Sequence, residues 1–277
     1  MKISIVTASY NQGEYLERTI KSIVEQTGHF ELEYIIIDGL STDNSIEIIK
    51  KYEKLFQAGH FSNLKKFAWT SAKDQGQADA INKGLKRTTG DIVAFLNSDD
   101  TYANGTLAKV VDFFTKNPNK KWLYGKCKII NEQDQEILPF ITKVKNYLLK
   151  KYSYFKLLII NYISQPATFW RQELMEEIGM LDKKQFYVMD YEYWLRMGAK
   201  YPAGTINSYL SNFRRYSKSK SGSGYKRQFA HEWWVATKYA FHKWYGLPAI
   251  IFHIFTYILI IGGYTLIEAR AMIARKK

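Results

Sequence analysis

Short polar clusters follow four apolar segments in the first hundred residues, and their carboxylates and amides are suited to hydrogen-bonding a ligand. The longest cluster comes after the run DIVAFL and reads Asn97-Ser98-Asp99-Asp100. The other three clusters contain Thr7, Ser9 and Asn11, then Asp38 and Gly39, and then Ser71, Asp74 and Gln75. A single aspartate is more typical of a helix cap or a turn, whereas four such clusters together favour a shared ligand site.

The apolar segments before these clusters are predicted to be buried β-strands. KISIVTASY, EYIIIDG, KFAWTS and DIVAFLNS are short and rich in β-branched residues, and amphipathic stretches with helical spacing separate them. Strands that alternate with helices predict parallel βαβ units in an α/β, doubly wound, mostly parallel sheet with helices on both faces. Open sheets of this kind bind ligands at the carboxyl ends of their strands, where all four polar clusters would lie.

Composition narrows the classes of partner. The chain has 277 residues, of which 46% are hydrophobic and 24% charged, enough for one large core with or without an appendage. A formal charge of +14 predicts an anionic partner, which could be nucleic acid, a phosphorylated small molecule or a lipid surface. The single cysteine, Cys127, excludes an intramolecular disulfide and a cysteine-based zinc cluster.

Six stretches resemble, in the same order, the family 2 glycosyltransferases with the GT-A fold. That family transfers a sugar from a nucleotide diphosphate sugar with inversion at the anomeric carbon. The stretches are SIVTASYNQGEYLERTIKSIVEQ, YIIIDGLSTDNS, DQGQADAINKGL, GDIVAFLNSDD, QPATFWR and MDYEYWLRM. The resemblance implies a GT-A domain over residues 1–222, with a nucleotide-binding half at 1–100 and an acceptor half at 101–222.

The resemblance also implies a divalent cation and a set of nucleotide contacts. A cation neutralises the departing diphosphate, and hard oxygen ligands suit Mg²⁺ or Mn²⁺. Asn97-Ser98-Asp99 is similar to the family's Asp-any-Asp motif with its first Asp replaced, so Asp99 is the expected metal ligand, with Asp100 in support. The donor is expected to be a UDP-sugar. The residues expected to bind its nucleotide are Thr7, Asn11, Asp38, Asp74, Asp79, Asn82 and Asn97.

The catalytic base is expected on a separate segment. MDYEYWLRM aligns with the family's stretch in which an acidic residue opens a helix, and this implies that Asp190 takes the proton from the acceptor hydroxyl. A carboxylate has an ordinary pKa of about 4, so it is ionised at pH 7. Glu192 is the alternative, although its position two residues later places it on a different helical face.

Two further segments of the resemblance carry expected contacts. Gln165, in QPATFWR, is expected to contact the donor or acceptor sugar. Arg215 and Lys220 lie in a segment that resembles a loop closing over the diphosphate, and they are expected to pair with phosphate oxygens. Many relatives place a histidine, sometimes a metal ligand, near the position of Tyr216.

Two segments of the chain indicate a membrane surface. Residues 143–162 interleave lysines with aromatic and aliphatic residues, which fits a helix in an anionic membrane interface. Single-stranded nucleic acid binds similar compositions, but no RNA-binding motif accompanies this one. Residues 247–267 are uncharged and, as a helix, would be about 31 Å long against a hydrocarbon core of about 30 Å. Residues 223–277 are therefore expected to be a helical membrane-associated tail that spans the bilayer, lies in it or forms an oligomer interface.

Taken together, these features predict a metal-dependent inverting glycosyltransferase at the cytoplasmic face of the inner membrane. Its acceptor would be a lipid-linked saccharide in surface polysaccharide or glycolipid assembly, and no nucleic-acid partner is expected. Two alternatives stay open. A sugar-phosphate nucleotidyltransferase would need a glycine-rich activation loop, which the sequence lacks. A noncatalytic membrane scaffold would carry a degenerate GT-A domain.

Overall fold

The computed structural model describes residues 1–217, 225–241 and 243–275, and the side chains of these residues outside 225–226 and 263–275. Within that part of the chain, the strands form one sheet in the order β3-β2-β1-β4-β7-β6-β8-β5. The strands are β1 (Lys2–Ser9), β2 (Glu31–Asp38), β3 (Leu64–Ser71), β4 (Ile92–Phe95), β5 (Thr101–Tyr102), β6 (Trp122–Ile130), β7 (Thr168–Arg171) and β8 (Gly204–Arg214).

Helices connect most of the strands and cover the sheet. They are α1 (Gly13–Val24), α2 (Ser45–Gln57), α3 (Gln77–Leu85), α4 (Thr106–Lys116), α5 (Pro139–Leu148), α6 (Tyr154–Ile159), α7 (Gln172–Ile178), α8 (Met189–Lys200), α9 (Tyr225–Ala240) and α10 (Gly246–Arg275). A short 3₁₀ turn, Gln165–Ala167, precedes β7.

The first half of the sheet is parallel, as predicted. β1 pairs with β2 and with β4, and β2 pairs with β3, all in parallel register. Tyr34, Ile35 and Ile36 in β2 are fully buried, because helices cover both faces of a parallel sheet and leave no solvent-facing side. The predicted α/β class is therefore confirmed, and the carboxyl ends of β1, β3 and β4 lie at one edge of the sheet.

The second half of the sheet is mixed. β7 runs antiparallel to both β4 and β6, β5 runs antiparallel to β8, and β6 and β8 are parallel. Trp122 of β6, Trp170 of β7 and Trp194 of α8 form a buried aromatic cluster beneath this half, with ring centroids 6.0 and 6.2 Å apart. This cluster fixes α8, and therefore the segment that opens it, against the sheet.

Residues 143–162 form two helices, where the composition suggested a single one. α5 ends at Leu148 and α6 begins at Tyr154, with Ser153 capping α6 through a side-chain hydrogen bond from the Lys156 N–H. The Lys156 ammonium folds back and donates to the Leu148 and Lys151 carbonyls. Burial lowers its pKa. The Lys156 ammonium therefore binds carbonyls at the carboxyl end of α5.

α10 packs with its polar side chains inward. Ala249, His253 and Tyr257 are buried against α6 and α9, and His253 Nδ1 lies 2.7 Å from the Leu158 carbonyl oxygen. The opposite face exposes large apolar side chains, which are Leu247, Ile251, Ile254, Phe255, Ile258 and Leu259. Across the part of the chain that the structure describes, no helix is long and apolar enough to cross a membrane.

Candidate functional site

A cavity of about 430 Å³ opens at the carboxyl ends of the parallel strands. Its lining comes from the loops after β1, β3 and β4, from α3 and the 3₁₀ turn, from the segment that opens α8, from α9 and from the end of β8. The lining residues are Ala8, Ser9, Tyr10, Gln12, Asp74, Gly76, Gln77, Ala80, Asn97, Ser98, Asp99, Gln165, Phe186, Tyr187, Met189, Asp190, Phe213, Arg214, Tyr216 and Gln228. This is the edge at which the polar clusters were predicted to meet.

Five of the predicted site residues line this cavity. They are Asp74, Asn97, Asp99, Gln165 and Asp190, and they come from distant parts of the chain. The sheet therefore assembles carboxylates and amides from both halves of the fold at one place, which a set of independent helix caps would not do.

Thr7 and Asn11 do not line the cavity. Thr7 is fully buried within the sheet, where its Oγ1 accepts a hydrogen bond of 3.1 Å from the Tyr34 hydroxyl. Asn11 has a φ of 50°, and its Oδ1 accepts a hydrogen bond of 2.8 Å from the Thr42 N–H. In the structure, the Asn11 side chain joins the loop after β1 to the loop after β2.

Asp38 is fully buried at the end of β2 and also lies outside the cavity lining. Its carboxylate accepts hydrogen bonds from the Ser41 N–H at 3.0 Å and from the Ser71 hydroxyl at 2.6 Å. Because Ser41 follows β2 and Ser71 ends β3, Asp38 fixes the relative position of these two strand ends.

Asp79 and Asn82 connect α3 to the segment before α8. Asp79 pairs with Lys83 at 3.0 Å and with Lys183 at 3.2 Å, and the hydrogen bond from Lys83 is the main cause that lowers the pKa of Asp79 to about 2. The Asn82 amide donates to the Leu181 carbonyl at 2.8 Å and accepts from the Leu181 N–H at 3.1 Å. Neither residue lines the cavity, and both hold the chain that leads into α8.

The two basic residues predicted to bind phosphate are placed differently. The Arg215 N–H donates to the Ile130 carbonyl at 2.9 Å, and this residue directly precedes Tyr216 in the cavity wall. Lys220 lies outside the described residues. The predicted phosphate contacts of both residues stay predictions.

The neighbouring carboxylates Asp99 and Asp100 occupy different environments. Asp100 is fully buried, and its carboxylate accepts from the Arg214 N–H at 2.8 Å and from the Asn97 amide at 3.3 Å. Burial, followed by the nearby Asp99 charge, raises the pKa of Asp100 well above its usual range. Asp99 instead lines the cavity, where its Oδ2 accepts a hydrogen bond of 3.2 Å from the Tyr216 hydroxyl. Of the pair, Asp99 is the carboxylate placed to meet a ligand.

A fully buried arginine, Arg214, supports the Asp99 loop from below. Its Nε donates to the Asp99 carbonyl at 2.8 Å and its Nη1 donates to the Asn131 carbonyl at 2.6 Å, while Nη2 pairs with Asp134. The guanidinium also lies over the Tyr15 ring, 5.0 Å from its centroid. Arg214 was not predicted from the sequence, because NFRRYSK resembles an exposed basic loop and nothing local marks one of its arginines as buried.

Asn97 lies at the centre of a chain of amides. Its Oδ1 accepts from Gln77 at 2.8 Å, and its Nδ2 donates to Gln165 at 3.1 Å. Gln165 in turn donates to the Phe95 carbonyl at 2.6 Å. Asn97 therefore uses a donor and an acceptor at once, which an ionised aspartate cannot do. Gln77 was missed from the sequence, because a glutamine in the first turn of a helix carries no distinguishing signal.

The oxygen ligands of the cavity fit a divalent cation that a substrate completes. Asp99 offers one carboxylate, and Mg²⁺ or Mn²⁺ commonly takes only one or two carboxylates and leaves its other positions to phosphate oxygens and water. Over the described residues, no group of three or more His, Cys, Asp or Glu side chains could hold a metal ion. When bound, such a cation would neutralise charge on a leaving phosphate. An all-protein metal cage does not fit these residues.

A second part of the cavity, here called the aromatic wall, consists of Phe186, Tyr187, Met189, Asp190 and Gln228. The first four belong to the segment that leads into and opens α8, and Gln228 belongs to α9. This wall therefore places the predicted base, Asp190, beside aromatic rings.

Glu192, the alternative base, faces away from the aromatic wall. Its carboxylate accepts from Arg196 Nη2 at 2.8 Å and from the Tyr239 hydroxyl at 2.5 Å, and it does not line the cavity. The carboxylate of Glu192 therefore joins α8 to α9. The geometry places Asp190, and not Glu192, within reach of a substrate in the cavity.

The chain also matches known proteins in sequence. The profile of Glycosyl transferase family 2 matches residues 4–179. TuaG of Bacillus subtilis (strain 168), assigned to teichuronic acid biosynthesis, is 38% identical over 111 residues, which cover 40% of this chain and 41% of TuaG. TarP of Staphylococcus aureus (strain N315), a poly(ribitol-phosphate) β-N-acetylglucosaminyltransferase, is 36% identical over 129 residues, which cover 45% of this chain and 36% of TarP. The matched stretch spans less than half the length of each relative.

Solved structures of TarS and of PcManGT share the fold. TarS 1-349 of S. aureus in complex with UDP superposes with a TM-score of 0.62 at 18% identity, over 87% of this chain and 66% of that one. TarS 1-349 has also been solved with UDP-GlcNAc. The mannosyltransferase PcManGT from Pyrobaculum calidifontis, in complex with GDP-Man and Mn²⁺, superposes with a TM-score of 0.59 at 18% identity, over 86% of this chain and 62% of that one. At these identities, the likeness establishes the fold alone.

Proposed function

The chain belongs to Glycosyl transferase family 2, and from that premise we propose that it is a metal-dependent, inverting glycosyltransferase. Its donor is a nucleotide diphosphate sugar, a UDP-sugar in the first instance, and its acceptor is a saccharide carried on a lipid. One observation carries the proposal. Asp99, suited to a cation, and Asp190, suited to a proton, line the same cavity although they follow different strands.

The proposed reaction is a single displacement. The Asp190 carboxylate takes the proton from an acceptor hydroxyl, and the hydroxyl oxygen forms a bond to the anomeric carbon of the donor sugar. The bond from that carbon to the diphosphate oxygen breaks, and its electron pair leaves with the nucleotide diphosphate. Attack opposite the leaving group inverts the anomeric configuration. Asp99 would hold the cation, which offsets the negative charge of the leaving group.

The uracil nucleotide is the finer part of this proposal. Supporting it are the fold shared with TarS, solved with UDP and with UDP-GlcNAc, and the resemblance of the first strand segments to the family's nucleotide-binding motifs. PcManGT has been solved with GDP-Man, so a guanine nucleotide is the donor to compare directly.

Two exposed surfaces support the proposal of a lipid-linked acceptor. α10 turns Leu247, Ile251 and Phe255 to solvent, and α5 exposes Phe140 and Tyr147 on one face beside its lysines. Exposed apolar side chains grouped on helix faces of a strongly cationic protein favour binding to an anionic membrane surface. The proposal includes a location at the cytoplasmic face of the inner membrane. The protein's sequence relatives TuaG and TarP support a role in surface polysaccharide assembly.

The proposal is tested by measuring nucleotide release from detergent-purified protein. The protein is incubated with UDP-, GDP- and dTDP-sugars, a membrane extract as acceptor source, and Mn²⁺, Mg²⁺ or EDTA. We expect metal-dependent release of one nucleotide, with the rate lost in both Asp99→Ala and Asp190→Asn. No release from any donor would favour the noncatalytic scaffold, whereas release of pyrophosphate would indicate a nucleotidyltransferase.

A further inference from the structure

The aromatic wall contains exposed rings that binding of the donor's phosphates and cation does not require. The Phe186 ring is 51% exposed although it lines the cavity, and it meets Tyr187 edge to face with ring centroids 4.9 Å apart. The Tyr187 ring also lies near the His231 ring of α9, with centroids 5.4 Å apart. Phe186 precedes the proposed base, Asp190, by four residues in the same segment. Because Tyr187 and Asp190 line this cavity too, a group stacked on these rings would share the cavity with the proposed base.

The amide of Gln228 is held in place on the same wall. Its Nε2 donates to Glu232 at 2.9 Å, so its Oε1 is the amide atom that can accept from a ligand. Glu232 is buried, and it also accepts from the Asn161 amide at 3.3 Å and from the Tyr257 hydroxyl. Gln228 is thus oriented through Glu232, which Asn161, in the segment after α6, and Tyr257 of α10 hold in place. This favours a fixed hydrogen-bonding position over a mobile surface amide.

We propose that Phe186, Tyr187 and Gln228 form a subsite for a hexopyranose ring of the acceptor, the ring that carries or adjoins the attacking hydroxyl. This inference rests on the proposed function and adds the chemical class of the acceptor's terminal unit. The axial C–H groups of a pyranose carry a weak positive charge and pack on the negative face of an aromatic ring. The hydroxyl groups around the ring edge can donate to the Gln228 carbonyl oxygen.

The charge of the cavity disfavours a polyol phosphate at this position. Over the described residues, the cavity lining contains one basic side chain, Arg214. That guanidinium is fully buried and already bonded to the Asp99 carbonyl, the Asn131 carbonyl and Asp134. A phosphate group beside Asp190 would meet a carboxylate and aromatic rings, whereas a neutral sugar ring meets surfaces that match it.

The donor sugar is a poorer occupant of this wall. The donor's diphosphate belongs with Asp99, in the loop after β4, and its nucleotide belongs with the strand ends of the parallel half. The base must contact the acceptor hydroxyl, so the part of the cavity that Asp190 and the aromatic wall line is assigned to the acceptor's side of the anomeric carbon. Phe186 is therefore assigned to the acceptor and not to the donor, so its substitution should change acceptor binding and leave nucleotide binding unchanged.

Saturation-transfer NMR tests the subsite directly. The full-length protein saturated with UDP and Mn²⁺ is mixed with a panel of methyl hexopyranosides and, in a separate arm, with ribitol 5-phosphate. We expect saturation transfer to the ring C–H protons of at least one pyranoside, and we expect Phe186→Ala to weaken its affinity by about five- to tenfold. Phe186→Tyr should restore binding, because the aromatic face is kept. Phe241→Ala, which removes an exposed ring directly after α9, is the matched control and should bind as the wild type does.

The outcomes separate this inference from the proposed function. Binding of UDP and of GDP, measured by calorimetry on each variant, reports on the donor site, and a wild type that binds neither nucleotide would contradict the glycosyltransferase proposal itself. If UDP binds, equal pyranoside transfer in Phe186→Ala and the wild type would overturn the subsite. It would also be overturned if no pyranoside bound, or if ribitol 5-phosphate bound and was lost in Phe186→Ala.

Discussion

At the residue scale, the adjacent aspartates Asp99 and Asp100 have different roles. Asp99 lies in the cavity, while Asp100 is buried and accepts hydrogen bonds from the backbone of Arg214 and the side chain of Asn97. The sequence indicated that this cluster ends a buried strand, and the family resemblance implied Asp99 as the metal ligand with Asp100 in support. It could not show that Asp100 holds β8, because that contact joins residues far apart in the chain.

The two acidic residues of α8 should respond differently to removal of charge. Asp190→Asn keeps the shape of the side chain but removes the proposed proton acceptor, so we expect the transfer rate to fall by about 10²- to 10⁴-fold. Glu192→Gln weakens the contacts with Arg196 and Tyr239, and we expect it to lower the free energy of unfolding by about 1–3 kcal/mol while the rate per folded enzyme changes little. Transfer rates and denaturation curves for both variants check this. If Glu192→Gln lost more of the transfer rate than Asp190→Asn, Glu192 would be the base and Asp190 the structural residue.

Restoring the family's aspartate at position 97 should harm this protein. Asn97→Asp removes the donor to Gln165 and places a carboxylate where the Asn97 amide now lies, 3.3 Å from Asp100 Oδ2. We expect the free energy of unfolding to fall by about 1–3 kcal/mol near neutral pH, with a larger loss as pH rises and both carboxyl groups ionise. Denaturant midpoints at pH 6 and pH 8 measure the effect.

The control for this substitution is Asn63→Asp. The Asn63 amide donates to the Gln26 backbone carbonyl at 3.1 Å, so its replacement removes a donor without placing two carboxylates together. An Asn97→Asp protein as stable as Asn63→Asp at both pH values would show that the amide chain around Asn97 is not required.

At the element scale, the predictable and unpredictable parts of the fold divide at β4. The strands β1 to β4 were recognisable because each is a continuous β-branched run followed by its own amphipathic helix, so the pattern is local. The strands β5 and β7 have two and four residues, and their partners lie far along the chain. The pairing of β5 with β8 therefore depends on tertiary contacts that no short window of sequence contains.

A buried glutamate joins the elements at the opposite end of the parallel sheet from the cavity. Glu33 of β2 is fully buried, and it accepts from Ser4 of β1 at 2.5 Å, from Lys66 of β3 at 2.7 Å and from the Thr89 N–H before β4 at 2.8 Å. Burial raises the pKa of Glu33, but the hydrogen bonds from Lys66, Ser4 and Thr89 outweigh it and hold the pKa below its usual value. The ionised Glu33 carboxylate therefore helps to fix the relative positions of β1, β2, β3 and the segment before β4.

The Glu33 contacts predict a pH-dependent stability with a definite sign. Because its folded pKa lies below the unfolded value of 4.5, the stabilisation is present above pH 4.5 and is lost as pH falls through the folded pKa. Glu33→Gln should therefore lower the free energy of unfolding by about 1–3 kcal/mol at pH 7, and the difference from wild type should shrink below pH 4.5. Urea unfolding from pH 3 to pH 7 measures it. Glu31→Gln, at an exposed position of the same strand, should show no such dependence, and a constant Glu33→Gln difference across this range would contradict the assignment.

At the scale of the whole molecule, the two functional surfaces are connected through the C-terminal helices. α9 supplies Gln228 to the cavity and packs against α10, whose buried Tyr257 donates to Glu232, the residue that orients Gln228. The outer face of α10 is apolar. The same helix pair that shapes the aromatic wall therefore presents the surface proposed to meet the lipid, so a lipid-linked acceptor could be bound at both places at once.

The outer face of α10 should bind anionic membranes. Ile251 and Phe255 are 58% and 64% exposed, and burying each side chain in a membrane contributes about 1.5–3 kcal/mol. We expect the wild type to float with vesicles containing phosphatidylglycerol and to bind them less at high salt. The double substitution Ile251→Ser with Phe255→Ser should weaken binding at least about tenfold, whereas Ile251→Leu with Phe255→Leu keeps the apolar face and should retain it.

If the wild type does not bind vesicles but forms a concentration-dependent dimer that the serine variant abolishes, this face belongs to a second copy of the chain. In that case the attachment of the acceptor to a lipid would lose its structural support, while the chemistry proposed for Asp99 and Asp190 would be unaffected.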